Sequence, residues 1–179
     1  MSTQPRPHPS KEAAMSAEPA NFPAVRRERT LSAPPPAVYR AWLDPDVLRR
    51  WLAPGDLEHA RAEVDEREGG RYRVWLTRSD QPVSGFDAQI LELVPDRRIV
   101  WRWGFTGPDR EAGPRFDSVL TVTLGETADG GTHLVVLHEH LDALATAMPE
   151  VAGQISGGWD RCLDRLPAAL ATARTAVQP

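Results

Sequence analysis

The chain has 179 residues, 41% of them hydrophobic, with six Trp and one Cys. That is enough for one domain with a sizeable core and hardly enough for two. A formal net charge of −4 excludes the basic balance of a nucleic-acid-binding protein, the lone Cys162 excludes an intramolecular disulfide, and no run approaches the ~20 apolar residues of a membrane span.

Residues 1–23 are rich in Pro, Ser and Ala and carry almost nothing to bury. Such a composition cannot offset the ordering entropy of the backbone, so a disordered tail is expected, with Met15 as a candidate true start. The tail lacks the apolar run of a secretory signal, and a cytoplasmic protein is the expectation. One folded domain is expected over residues 24–173, followed by a disordered end, 174–179.

The first strand is expected at Val25–Leu31, with Arg26, Arg27 and Arg29 interspersed. Ser32-Ala33-Pro34-Pro35-Pro36 ends it and opens a helix, because Pro suits a first helical turn. Val38 and Trp42, four apart, give that helix one apolar face. In Asp44-Pro45-Asp46 an N-cap, a Pro at the first helical position and a first-turn acid stand in order. They start a second short helix that turns Val47, Leu48 and Trp51 inward and stops at Pro54-Gly55.

From there to about residue 140 the apolar period is 2 rather than 3.6. A weak strand is expected at Ala60–Glu66, then a tight Gly69-Gly70 turn into Arg71–Arg78, where Tyr72, Val74 and Leu76 share a face. Val83–Val94 is a long mixed strand closed by Pro95-Asp96. Arg98–Phe105 alternates cleanly, with Trp101, Trp103 and Phe105 on one side and Arg102 on the other. After a Gly- and Pro-rich loop at 107–114, Phe116–Glu126 puts Leu120, Val122 and Leu124 on one face. Asp129-Gly130-Gly131 is a strong hairpin signal, and Thr132–His140 returns.

The last element is helical. Val151, Ile155, Trp159, Cys162, Leu163, Leu166 and Leu170 recur at spacings of three and four, which is one stripe. Gly157-Gly158 weakens its middle by roughly 1 kcal/mol per Gly relative to Ala. Pro167 is expected to kink the helix or to mark its final turn. A stripe of this length needs a large apolar partner surface, and the sheet is the candidate.

Six segments, in this order, resemble the START-like (SRPBCC) superfamily, in the branch similar to the activator of heat-shock-protein ATPase. They are Glu28-Arg29-Thr30 with Ser32-Ala33-Pro34; Ala41-Trp42-Leu43-Asp44-Pro45 with Trp51; Gly69-Gly70-Arg71-Tyr72; Glu92 to Val100; Gly130-Gly131-Thr132 leading to Leu134 and His138-Glu139; and Gly158-Trp159-Asp160 with Leu163 and Leu166. The resemblance covers about residues 25–171. It implies an α+β helix-grip fold, in which about seven antiparallel strands curve around a long C-terminal helix, with two short helices after the first strand. Two departures stand out: a single Trp51 precedes Leu52-Ala53-Pro54 where relatives often carry paired Trp, and Pro167 lies inside the closing helix.

In such a fold the cavity is the incompletely filled part of the core. Inward strand parity then makes Tyr72, Val74, Trp101, Trp103, Phe105, Leu120, Val122 and Val136 its expected walls. Ile155, Trp159 and Leu163 form the lid, and His138 is the clearest polar feature. The aromatic strip would suit a flat or ring-shaped molecule, and equally an ordinary core.

His138 and His140, two apart on one strand, could chelate a metal if a third ligand joined them. His59 follows a turn and His133 has the opposite parity, so no metal and no cofactor is expected, and His138 is read as a hydrogen-bonded wall residue with His140 at the rim. Gly69-Gly70 leads to no Lys-bearing helix and is not a phosphate loop. Ser84-Gly85 and Ser156-Gly157 do not form a nucleophile elbow. Cys162, on the apolar helix face, reads as buried and inert.

Three functions follow as expectations. The first is binding of a small apolar or aromatic molecule without catalysis. The second, similar to the superfamily's polyketide cyclases, uses His138 as acid–base, with Asp117, Glu139 or Asp142 available to pair with it. The third is an interaction module that stimulates a chaperone ATPase. The weak second strand, at an exposed edge, would allow a homodimer; no nucleic-acid or membrane partner is expected.

Overall fold

A computed structural model describes residues 24–53, 56–109, 113 and 115–176. The N-terminal tail, Pro54-Gly55 and residues 177–179 lie outside the described residues. In chain order the elements are β1 (Val25–Leu31), α1 (Pro35–Ala41), α2 (Pro45–Trp51), β2 (Glu58–Val64), β3 (Arg71–Arg78), β4 (Gln81–Val94), β5 (Arg98–Thr106), β6 (Arg115–Glu126), β7 (Thr132–Glu139), α3 (Asp142–Ala147) and α4 (Pro149–Ala176). No described helix is long and apolar enough to cross a membrane.

Local chemistry sets most of these boundaries. Asp44 caps α2 by accepting a hydrogen bond from the Asp46 amide at 2.8 Å, with Pro45 in the first turn. Between β2 and β3, Gly69 takes φ +78°, and a Cβ on Gly70 would sit 2.0 Å from the Asp65 carbonyl oxygen. Only glycine satisfies both demands. The strands then pair antiparallel in the order β1-β7-β6-β5-β4-β3-β2, so the first strand closes the sheet beside the last. The helix-grip architecture is the observed one.

Helix α4 closes the sheet through its apolar stripe: Ile155, Trp159, Cys162, Leu163, Leu166 and Leu170 are all buried. Its polar side is tied to β1. Asp160 receives Arg27 at 2.8 Å and Arg29 at 3.1 Å, Asp164 receives Arg29 at 3.2 Å, and Ser156 receives Arg27. The Arg27 contact, before that of Arg29, holds the Asp160 carboxyl below the usual range.

Under the middle of α4 the core is solid aromatic packing. Trp42, at the C-cap of α1, meets Trp51 edge-on at 4.6 Å and lies 5.8 Å from Trp101 and 6.0 Å from Trp159. Tyr72 adds an edge contact to Trp101 at 5.5 Å. Trp51 donates its indole N–H to the Ala41 carbonyl at 3.1 Å, which locks the two short helices together.

Several expectations are corrected. β2 starts two residues earlier than the pattern indicated and ends at Val64, and β4 starts at Gln81 because Ser79 and Asp80 (φ 49° and 62°) make the preceding turn tight. Helix α3 has no counterpart in the sequence reading; its six residues bury only Leu144, too few to print a period. Helix α4 runs through Pro167 to Ala176, so the proline does not mark its final turn. The lost hydrogen bond and ring clash, about 3 kcal/mol, are outweighed by Leu163, Leu166 and Leu170, buried on both sides of the proline. Finally, β7 ends at Glu139, and His140 is exposed with φ 59° rather than sharing the inner face with His138.

Candidate ligand-binding site

Between the first half of α4 and the ends of β3, β4 and β5 lies an open cavity of about 780 Å³. Four aromatic side chains dominate its walls: Phe86, Trp103, Phe105 and Trp159. Phe86 packs on Trp103 at 4.8 Å and meets Phe105 edge-on at 5.9 Å, because β4 and β5 pair Phe86 directly with Phe105. Leu76, Leu52 and Leu57 extend the apolar lining, and Leu144, Met148 and Val151 cover the α3–α4 corner. Gly85 and Gly158 are also wall residues, and neither contributes a side chain to fill the space.

Of the residues expected to line the cavity, Trp103, Phe105, His138, Ile155 and Trp159 do so. Tyr72, Val74, Trp101, Leu120, Val122, Val136 and Leu163 lie instead in the packed core. For Trp101 the physical reason is Trp42, at the C-cap of α1, whose indole lies 5.8 Å from Trp101 and 6.0 Å from Trp159. Strand parity says which face a residue takes, not whether a helix side chain arrives to cover it. Tyr72, expected as a wall, is instead fully buried in the core, and burial alone drives its phenol well above the ordinary 10.

The sequence reading missed Phe86, although its period-2 relation to the buried Ala88 and Ile90 carried the signal. It also missed the mouth, where Arg78, Arg115, Arg161, Asp56 and Asp109 are exposed wall residues. These come from five separate segments, and no local spacing announces them.

His138 sits at the wall with both ring nitrogens engaged. The Trp159 indole N–H, a donor only, points at Nδ1 across 3.2 Å. Nδ1 must therefore present its lone pair, which places the proton of the neutral ring on Nε2. Nε2 lies 2.8 Å from Ser118 Oγ, and that hydroxyl donates onward to the Trp103 carbonyl at 3.0 Å. Every donor in this chain meets one acceptor. Phe105 lies nearly parallel to the imidazole at 6.0 Å. Burial pushes His138 down to about 3, so it is neutral at physiological pH. Its basic lone pair is occupied, and general acid–base work would require breaking the chain first.

Cys162 is likewise disarmed, since burial pushes its thiol up to about 12. Among the described residues no group of three His, Cys, Asp or Glu stands close enough to hold a metal ion. What the arrangement offers chemically is an apolar, largely aromatic container with charge only at its mouth.

A protein-family model described as Activator of Hsp90 ATPase homolog 1-like protein matches residues 32–171. Among solved structures, protein CV1439 from Chromobacterium violaceum is 32% identical with a TM-score of 0.64, covering 82% of this chain and 96% of that one. An AHSA1-like protein from Aeromonas hydrophila is 18% identical with a TM-score of 0.65, covering 87% and 97%. DynU16, from the dynemicin biosynthetic locus, is 27% identical with a TM-score of 0.59; the match covers 84% of this chain and 48% of DynU16. No curated protein matches the chain.

Proposed function

The chain belongs to the Activator of Hsp90 ATPase homolog 1-like family, and on that premise we propose that it binds a small hydrophobic or aromatic molecule between the sheet and α4 without transforming it. The observation that carries the reading is the open cavity of about 780 Å³ walled by Phe86, Trp103, Phe105 and Trp159. Its size falls within the roughly 300–1,000 Å³ of small-molecule sites, which are mostly apolar with a few placed polar groups. Aromatic walls contribute large contact area at little entropic cost.

The closed hydrogen-bond chain through His138 supports binding over turnover. A polyketide-cyclase-like reaction would need that imidazole to accept or give a proton, and its lone pair is already held by Trp159. Self-association through the exposed edge of β2 belongs to the same reading, and sedimentation of a monomer at all concentrations would remove it. The test of binding is a titration with N-phenyl-1-naphthylamine, a neutral aromatic probe whose fluorescence rises in apolar surroundings. Saturable enhancement with one site per chain is expected, and a flat titration would overturn the reading.

A further inference from the structure

The charged residues of the cavity wall are unevenly engaged. Arg78 is paired with Asp56 at 3.0 Å, and this contact holds the Asp56 carboxyl below the usual range. Asp109 also has an interaction of its own. Arg115, at the start of β6, and Arg161, on α4, make no ion pair or hydrogen bond among the described residues, although Asp56, held first by Arg78, also feels the Arg161 charge, and both arginines are exposed at the mouth. One arginine comes from the sheet and the other from the helix that closes it.

Deeper in, none of the described wall residues carries a positive charge. His138 is neutral and its two nitrogens are taken by Trp159 and Ser118. An unpaired anion placed beside those aromatic walls would lose its hydration with nothing in return. Charge can be tolerated at the mouth alone, and among the described wall residues there three arginines stand against two aspartates, Asp56 and Asp109. An arginine fork matches a carboxylate in both charge and shape.

We infer that the molecule bound in this cavity is an amphipathic monoanion, with its apolar body against Phe86, Trp103, Phe105 and Trp159 and its carboxylate at the mouth, engaged by Arg115 and Arg161. The inference rests on the binding function proposed above and adds its ligand class. It assigns Arg115 and Arg161 as specificity-determining residues, which select the anion over its neutral counterpart.

The test compares two probes with the same aromatic body. 1-Anilinonaphthalene-8-sulfonate carries a sulfonate in place of the carboxylate, and N-phenyl-1-naphthylamine carries none. The sulfonate is expected to bind about tenfold more tightly to the wild-type protein, the scale of one charge-assisted contact. In the double variant R115Q/R161Q that advantage disappears while the neutral probe binds as before. R102Q, on the outer face of β5, serves as the control for surface charge and should change neither affinity. Raising salt from about 0.05 to 0.5 M gives a second readout in the wild-type protein, weakening the anion only.

Equal affinity for the two probes overturns the inference and leaves the cavity reading standing. So does a double variant that weakens both alike, or an R102Q effect as large. If neither probe binds, the binding function fails and the ligand class falls with it.

Discussion

The indole N–H of Trp159 on α4 points at Nδ1 of His138 on β7 across 3.2 Å. This contact joins the closing helix to the sheet beside the cavity, and through Ser118 it continues to the backbone of β5. It also decides the chemistry, because it fixes the tautomer of the imidazole and occupies its basic lone pair.

Replacing Trp159 with Phe keeps an aromatic wall and removes the donor. The buried Nδ1 is then left without a partner, which costs about 1–3 kcal/mol, and the smaller ring adds a packing loss. Urea unfolding at neutral pH should show the midpoint fall with little change in slope. An unchanged midpoint would mean that the contact does not hold α4 to the sheet.

His138 gives stability a pH dependence of definite sign. Its pKa falls from 6.5 to about 3 on folding, so between those values the unfolded chain binds the extra proton. Stability from this group is full above pH 6.5 and is lost as pH falls toward 3. From pH 7 to pH 5 the loss is roughly 2 kcal/mol. Chemical unfolding at the two pH values, in wild type and in H138Q, isolates the effect: the wild-type drop should shrink by about that amount in the variant. Equal drops in both proteins would show that His138 is not the buried neutral group described.

Gly158 is a wall residue without a side chain. G158L should project an isobutyl group into the cavity while improving the helix by roughly 1 kcal/mol. The expected result is an unchanged or higher melting temperature, with affinity for N-phenyl-1-naphthylamine reduced at least about tenfold. A variant that binds the probe normally would place the probe elsewhere on the molecule.

Asp160 receives both Arg27 and Arg29 from β1. The side chains are part exposed, so the pairs are screened, and D160N should destabilise by only about 1 kcal/mol. The difference between the proteins should shrink in high salt, as unfolding at two ionic strengths would reveal. A loss unaffected by salt would point to packing rather than charge.

Strand parity and the α4 stripe were legible because burial on one face leaves a strict period, and the turns because Gly69-Gly70 and Asp129-Gly130-Gly131 are chemically distinctive. The limits of the cavity were not legible. They depend on Trp42, which arrives from the end of α1 to cover Trp101, and on a mouth assembled from β3, β6, α4 and two loops. That Pro167 does not mark the final turn of α4 was not legible for a related reason: a local penalty is visible in sequence, whereas the long-range burial of Leu163 and Leu170 is not.

The six tryptophans are built-in reporters of where a molecule binds. Trp103 and Trp159 line the cavity; Trp42, Trp51 and Trp101 are sealed in the core; Trp75 lies on the opposite face of β3 beneath the Arg61 guanidinium at 5.0 Å. Following the six indole N–H signals by NMR during titration with N-phenyl-1-naphthylamine tests the cavity directly. The account predicts saturable shifts largest at Trp159 and Trp103, with Trp75 stationary. No saturable shift at any indole, or a response led by Trp75, would contradict it.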